Sequence, residues 1–188
     1  PNGGGREGAD TNKVNALNGL AREMELSGDY EKGIACANEA KQLAEKINFK
    51  KGIATAHNNT GNIYYQQGNY PEALKEHFTA LKIFEEIGDK KRIAVSHGNI
   101  GNIYNEQGNY PEALKEYFAS LKIKEEIGDK RGIAASHNNI GNIYRKQGNY
   151  PDALKEHFAS LKIKEEIGDK QSIAASHNNI GLIYYDQD

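Results

Sequence analysis

The sequence has one cysteine, one methionine, no tryptophan and only four prolines in 188 residues. A lone Cys36 makes no internal disulfide, which excludes a secreted disulfide scaffold, a paired-cysteine zinc site and a redox dithiol together. Charge of one sign is lacking as well, because 24 Lys and Arg stand against 26 Asp and Glu, a formal net charge of −2. Sequence-blind binding to nucleic acid or an anionic membrane needs clustered excess Lys and Arg, so no nucleic-acid partner is expected. No run approaches 18 consecutive apolar residues, so no membrane-inserted helix is expected. The chain starts at Pro1 without an initiator Met or an apolar leader, and is expected to be processed or trimmed. Its compartment stays open between cytoplasm, periplasm and exterior. What is abundant is Asn, at 20 residues, and Gly, also at 20.

That bias has one cause. Residues 101–140 and 141–180 differ at only six positions, namely Asn105/Arg145, Glu106/Lys146, Glu112/Asp152, Tyr117/His157, Arg131/Gln171 and Gly132/Ser172. Residues 61–100 share the frame, and Tyr30, Ile47 and Ile53 mark an older copy in the same register. The chain is a tandem repeat of 40 residues. Within a unit, Gly128-Asp129 ends one helix and opens the next, on which Ile133, His137, Ile140 and Tyr144 recur at helical spacing up to Gln147-Gly148-Asn149. This is helix A. Helix B follows from Pro151 in its first turn, with Leu154, His157, Phe158 and Leu161 on one stripe. Strand alternation is absent. The expected fold is therefore all-α, an α-solenoid of antiparallel helix pairs: units 11–48, 49–88, 89–128 and 129–168, then a closing helix at 169–188. Residues 1–10, beginning PNGGGREGA, are expected to form a flexible arm, with the first helix starting near Asp10 or Thr11.

The repeat resembles the tetratricopeptide repeat, whose spacing is Trp-x2-Leu-Gly-x2-Tyr, then Ala-x3-Phe, then Pro. Here His97, Ile100, Gly101, Tyr104, Ala113 and Tyr117 occupy the first six slots and Glu125 the last. Ile140, Gly141, Tyr144, Ala153 and His157 repeat the frame, and Leu20, Ala21, Met24, Gly33 and Ala37 echo it. The missing Pro and six extra residues per unit resemble the longer variant of kinesin light chains, spindle-orientation adaptors and bacterial signalling proteins. NNIGNIY, QGNYPEALK and EEIGDK are most similar to repeat regions of Bacteroidetes-type proteins. The resemblance implies a right-handed superhelix, helix A on its concave wall, and a protein or peptide partner.

On that wall Asn138, Asn142 and Arg145 share one helical face, as do Asn58, Asn62 and Tyr65; Gly98, Asn102 and Asn105; and Asn178, Leu182 and Tyr185. Beside them run Asn59, Asn99, Asn139 and Asn179. A primary amide both donates and accepts, so such a ladder can hold the N–H and C=O groups of an extended peptide, or can bond stacked helices to each other. Side-chain selection falls to the last turn of helix A: Tyr65 with Gln66, Asn105 with Glu106, Arg145 with Lys146, and Tyr185 with Asp186. The candidate binding residues are thus Asn58, Asn62, Tyr65, Asn102, Asn105, Glu106, Asn138, Asn142, Arg145, Lys146, Asn178 and Tyr185.

Six histidines fill aromatic slots of the frame. His57 and His77, or His137 and His157, are read as packing residues, with a pH-sensitive pair or a metal as the alternatives. No carboxylate or thiolate is evident to complete a metal site. Cys36 among Ala35 and Ala37 reads as a small buried residue, and Asn58-Asn59-Thr60 as a chance sequon inside a helix. No nucleophile-base set or phosphate loop stands outside the repeat frame, so no catalysis, metal or cofactor is expected. The function expected is an interaction scaffold binding a peptide or partner segment, as an adaptor or sensory region. The alternative is self-assembly into dimers or higher oligomers through repeat surfaces, end helices and the N-terminal arm, because Ile180, Ile183 and Tyr184 lack a following helix B.

Overall fold

A computed structural model of the chain describes residues 3–187, with side-chain surroundings from Gly8 onward. Among the described residues nine helices follow in order: α1 (Gly3–Ser27), α2 (Tyr30–Lys46), α3 (Lys50–Gln66), α4 (Tyr70–Ile87), α5 (Lys90–Glu106), α6 (Tyr110–Glu126), α7 (Lys130–Lys146), α8 (Tyr150–Glu166) and α9 (Lys170–Gln187). They pack as sequential antiparallel pairs, α1 on α2, α3 on α4 and α7 on α8, giving four repeats and a final helix. The chain divides into two compact units, one up to Ile103 and one from Tyr104, with the boundary inside α5.

The punctuation has a period of half a repeat. Gly28, Asn48, Gly68, Gly88, Gly108, Gly128, Gly148 and Gly168 all have positive φ and fall every twenty residues. At each, the chain closes a helix with paired bonds: Gly68 N–H donates to the Tyr65 carbonyl at 2.9 Å and Asn69 N–H to the Tyr64 carbonyl at 2.8 Å. Glycine adopts this left-handed geometry without strain, and Asn48, at φ 55°, is the one departure among them. The next residue is already the N-cap of the following helix, so Gly-Asp and Gly-Asn do two jobs. Asp129, for example, accepts from Gly132 N–H at 3.0 Å, and Asp89 from Arg92 N–H at 3.2 Å.

The first helix begins at Gly3, earlier than the Asp10 or Thr11 expected. No proline or turn intervenes before Ser27, and extending an existing helix backward is far easier than nucleating one. Residues 3–10 of the expected arm are therefore in helical continuity with the first repeat, while Pro1 and Asn2 lie outside the described residues.

The interfaces are built from small residues that bring helices close. In the first unit Ala54, Ala80 and Phe84 pack with Ile83 and Ile93. In the second, Ala113, Tyr117, Leu121, Ile140 and Ile143 form the cluster, with Tyr104, Tyr110 and Tyr144 at its edge. Gly61 and Gly141 mark one such approach: a Cβ on either would lie 2.9 Å from Nε2 of His77 or His157, so a buried imidazole rests on bare backbone. On helix B the buried stripe is Ala153, His157, Ser160, Leu161 and Lys164, whereas Phe158 is left 48% exposed. The expected stripe through Phe158 is thus shifted toward the small residues, because those permit the close approach.

Candidate functional site

The A helices α1, α3 and α5 stand side by side in the first unit, and α7 beside α9 in the second, joined by amides at one register. Asn59 Nδ2 donates to the Asn18 carbonyl at 2.8 Å, and Asn18 Nδ2 to the Gly52 carbonyl at 3.1 Å. Asn99 Nδ2 donates to Oδ1 of Asn58 at 3.3 Å and of Asn62 at 3.2 Å, and Asn179 Nδ2 to Asn138 Oδ1 at 2.9 Å. This column spends its donors on the neighbouring helix. Asn is a poor interior helix former, and these bonds supply the reason for its repetition.

One turn further along, the faces open. In the first unit Asn62, Tyr65, Gln66, Asn99 and Asn102 surround a cavity of about 220 Å3 with Glu25 and His77 in its wall. In the second, Asn105, Asn142, Arg145, Lys146 and Asp186 surround one of about 360 Å3. Seven of the twelve candidate residues are thus brought together in two groups, Asn62, Tyr65 and Asn102 in one unit and Asn105, Asn142, Arg145 and Lys146 in the other. The other five are placed differently. Asn58 is buried and accepts from Asn99; Asn138 lines a further cavity of about 310 Å3 beside Lys164; Glu106 is exposed and accepts from Asn105 at 3.2 Å; Asn178 and Tyr185 are exposed on α9. Burial of Asn58 also closes its sequon to any glycan.

The two cavities differ in charge because they differ at the last turn of helix A. Register positions 25, 65, 105, 145 and 185 carry Glu25, Tyr65, Asn105, Arg145 and Tyr185. The next carry Leu26, Gln66, Glu106, Lys146 and Asp186. In the second unit Arg145 Nε binds Asp186 Oδ2 at 2.6 Å, and Lys146 Nζ binds Asn105 Oδ1 at 2.9 Å and stands 6.0 Å from the Tyr110 ring centre. In the first unit Glu25 receives Asn62 Nδ2 at 3.5 Å, a long bond, and burial pushes its carboxyl above the usual range. Glu25, like Gln66, His77, Asn99 and Asp186, lines a cavity but is not among the twelve candidates, although the step of 40 back from Tyr65 points to it.

The histidines do not pair with each other. His57 Nδ1 meets Glu76 Oε2 at 2.6 Å and His137 Nδ1 meets Glu156 Oε2 at 2.6 Å, so these two helix A imidazoles are each tied to a carboxylate on helix B. The carboxylate missed in the sequence is the residue just before His77 or His157, at the same separation in both repeats. The hydrogen bond from His57 is the main cause holding Glu76 below its ordinary value. His77 and His157 lie fully buried against glycine, and burial drops both to about 4, so they are neutral at pH 7. His77 Nδ1 and both nitrogens of His157 have no hydrogen-bond partner. Among the described residues no group of three or more His, Cys, Asp or Glu is placed to hold a metal ion, and no helix is long and apolar enough to cross a membrane. Cys36 is partly exposed rather than buried.

The tetratricopeptide-repeat signature matches residues 12–86, 52–126, 92–166 and 132–188, in the frame of these same helices. The chain belongs to the tetratricopeptide-repeat family. Three solved structures show the likeness in three dimensions. The apo form of RapI has a TM-score of 0.83 at 21% identity, over 92% of this chain and 63% of that one. A STAND signal-transduction ATPase with a tetratricopeptide repeat sensor, from Pyrococcus horikoshii, has 0.83 at 22%, over 94% and 28%. Aspartyl phosphate phosphatase F from Bacillus subtilis has 0.87 at 15%, over 92% and 45%. Such identities show the fold alone, and this chain spans less than two thirds of each of these proteins. No curated protein matches it in sequence.

Proposed function

We propose that this tetratricopeptide chain is a non-catalytic interaction module whose A helices hold an extended peptide or partner segment, as the adaptor or sensory region of a signalling system. The observation that carries the reading is the division of labour along helix A. Asn59, Asn99 and Asn179 bind helix to helix, while one turn on Asn62, Asn102, Asn105 and Asn142 border open polar cavities, Asn62 serving both roles by accepting from Asn99. Adjacent last-turn residues change from Tyr65 and Gln66 to Arg145 and Lys146 within the same repeat frame. Constant amides suit main chain, and variable neighbours suit side-chain selection. Among the similar structures, one carries a tetratricopeptide repeat sensor, which supports the same reading. The likeness to a phosphatase does not bring its chemistry here, since it rests on 15% identity and fold.

The test is a fluorescent peptide library screened against the wild type, Asn102→Ala and Asn142→Ala. Each substitution should weaken selected peptides by about tenfold, the loss of one or two hydrogen bonds to main chain, with the melting temperature nearly unchanged. Equal binding by all three proteins would remove the amides from the site.

Of the end residues expected to be uncovered, Ile180 and Ile183 are instead buried, at 7% and 0%, because they face α8 rather than the missing helix, and only Tyr184 is exposed. A second reading, self-association, is favoured by one observation, that Leu182, Tyr184 and Tyr185 on α9 are 45%, 51% and 79% exposed. Light-scattering mass that rises with concentration, and falls back in Tyr184→Lys, would support it.

A further inference from the structure

We infer that the cavity of the first unit is a subsite for a positively charged side-chain end, the guanidinium of arginine or the ammonium of lysine, on the segment that the A helices hold. The inference rests on the peptide-binding reading and adds the chemistry of one residue of that peptide.

The wall carries one formal charge, Glu25, since its other members are amides, a phenol and a buried imidazole. That carboxylate is short of partners: it has the long bond from Asn62 and the field of Arg22, while burial penalises its charge. The rest of the wall is neutral, because burial holds the His77 imidazole uncharged at pH 7. Asn62 accepts from Asn99 and donates to Glu25, which ties the carboxylate to the amide column at the edge of the space. Tyr65 adds an aromatic face beside it, its ring 6.1 Å from that of Tyr70, and aromatic faces attract cations.

Size agrees with charge. About 220 Å3 is the share of roughly seven liquid waters at about 30 Å3 each, room for one side-chain end and not for folded structure. An anion would meet Glu25 with no cation in the wall. A neutral amide would add no charge to the field of Arg22 at the carboxylate. A guanidinium, with five N–H donors in a plane, can reach a carboxylate and further acceptors at once.

The experiment titrates the full chain with N-acetyl-arginine amide and, separately, N-acetyl-glutamate amide, following Asn side-chain signals by NMR. The arginine probe should shift Asn62, Asn99 and Asn102 saturably, and the glutamate probe should not. Glu25→Gln should weaken the arginine probe by about tenfold. Gln66→Lys, at an exposed position of the cavity wall, places a resident ammonium there and should abolish the response. Equal responses to both probes, no response, or a response unchanged in Glu25→Gln would each overturn the subsite. The peptide library separates the two readings: peptides that bind without enrichment in Arg or Lys, equally to wild type and Glu25→Gln, would end the subsite and leave the groove. Peptides enriched in Arg or Lys only on the wild type would support both.

Discussion

The two units solve the same packing problem with different chemistry. In the first, Phe84 of α4 fills the seam under α3 and α5, and Ser96 Oγ is buried without a partner. In the second, the corresponding residues of α6 and α8 are Lys124 and Lys164, whose ammonium groups reach Ser136 at 2.9 Å and Ser176 at 2.7 Å. Burial lowers the pKa of both lysines. An apolar ring gains burial energy and strands a hydroxyl, whereas a lysine satisfies the hydroxyl and takes the cost of a desolvated charge. The lesson is that a repeat frame specifies the space, not the chemistry that fills it.

The largest expected effect breaks the comparison from the apolar side. Phe84→Ala should cost about 3–5 kcal/mol in urea unfolding, because it empties a filled core site, whereas Lys164→Ala should cost about 1 kcal/mol, the lost stem being offset by release of a buried charge. Equal losses would mean the two seams are energetically alike.

Buried histidines come next. His77 and His157 titrate at about 4 when folded against 6.5 when free, so the unfolded chain binds more protons between those values. Stability should therefore be constant above about pH 7 and fall as the pH drops through 6.5 toward 4, by about 2 kcal/mol per ring down to pH 5. Glu25, with its raised pKa, works weakly in the opposite sense. His157→Tyr, which installs the residue found at Tyr117 one repeat earlier, should remove one ring's share. A pH profile identical to that of the wild type would contradict the assignment.

Erasing the contrast from the charged side should have a smaller effect. Lys124→Met with Ser136→Ala removes a buried ammonium and the hydroxyl it serves, and should raise stability by about 1–2 kcal/mol in thermal unfolding. A loss would show that the Lys124–Ser136 bond outweighs desolvation. Smallest is Asn48→Gly, which brings the one non-glycine left-handed turn into line. It should gain about 0.5–1 kcal/mol, and a loss would show that the Asn48 side chain has a role beyond its turn.

The helices and their order are legible in the sequence because glycine, Asn and Asp fall at fixed steps and the copies repeat the pattern. The six differences between copies already separate Asn105 and Glu106 from Arg145 and Lys146. Three features are not legible. The bond from His57 to Glu76 depends on which carboxylate the hairpin brings across, and hydropathy reads Glu76 as solvated. Lys124 and Lys164 look like surface residues until the seam shows that a long stem can lie buried with its end on a serine. Glu25 hides because the first repeat has diverged, so its place in the cavity is visible only through the step of 40 to Tyr65.

The most direct test of the central claim exchanges the last turn of one unit for that of the other. Peptide arrays would be probed with the wild type and with Arg145→Tyr combined with Lys146→Gln, which gives the second cavity the residues of the first. If the amides hold main chain and the last turn selects side chains, affinity should stay within about threefold of the wild type while selection moves away from acidic residues. An unchanged profile, or no peptide bound by either protein, would contradict the account.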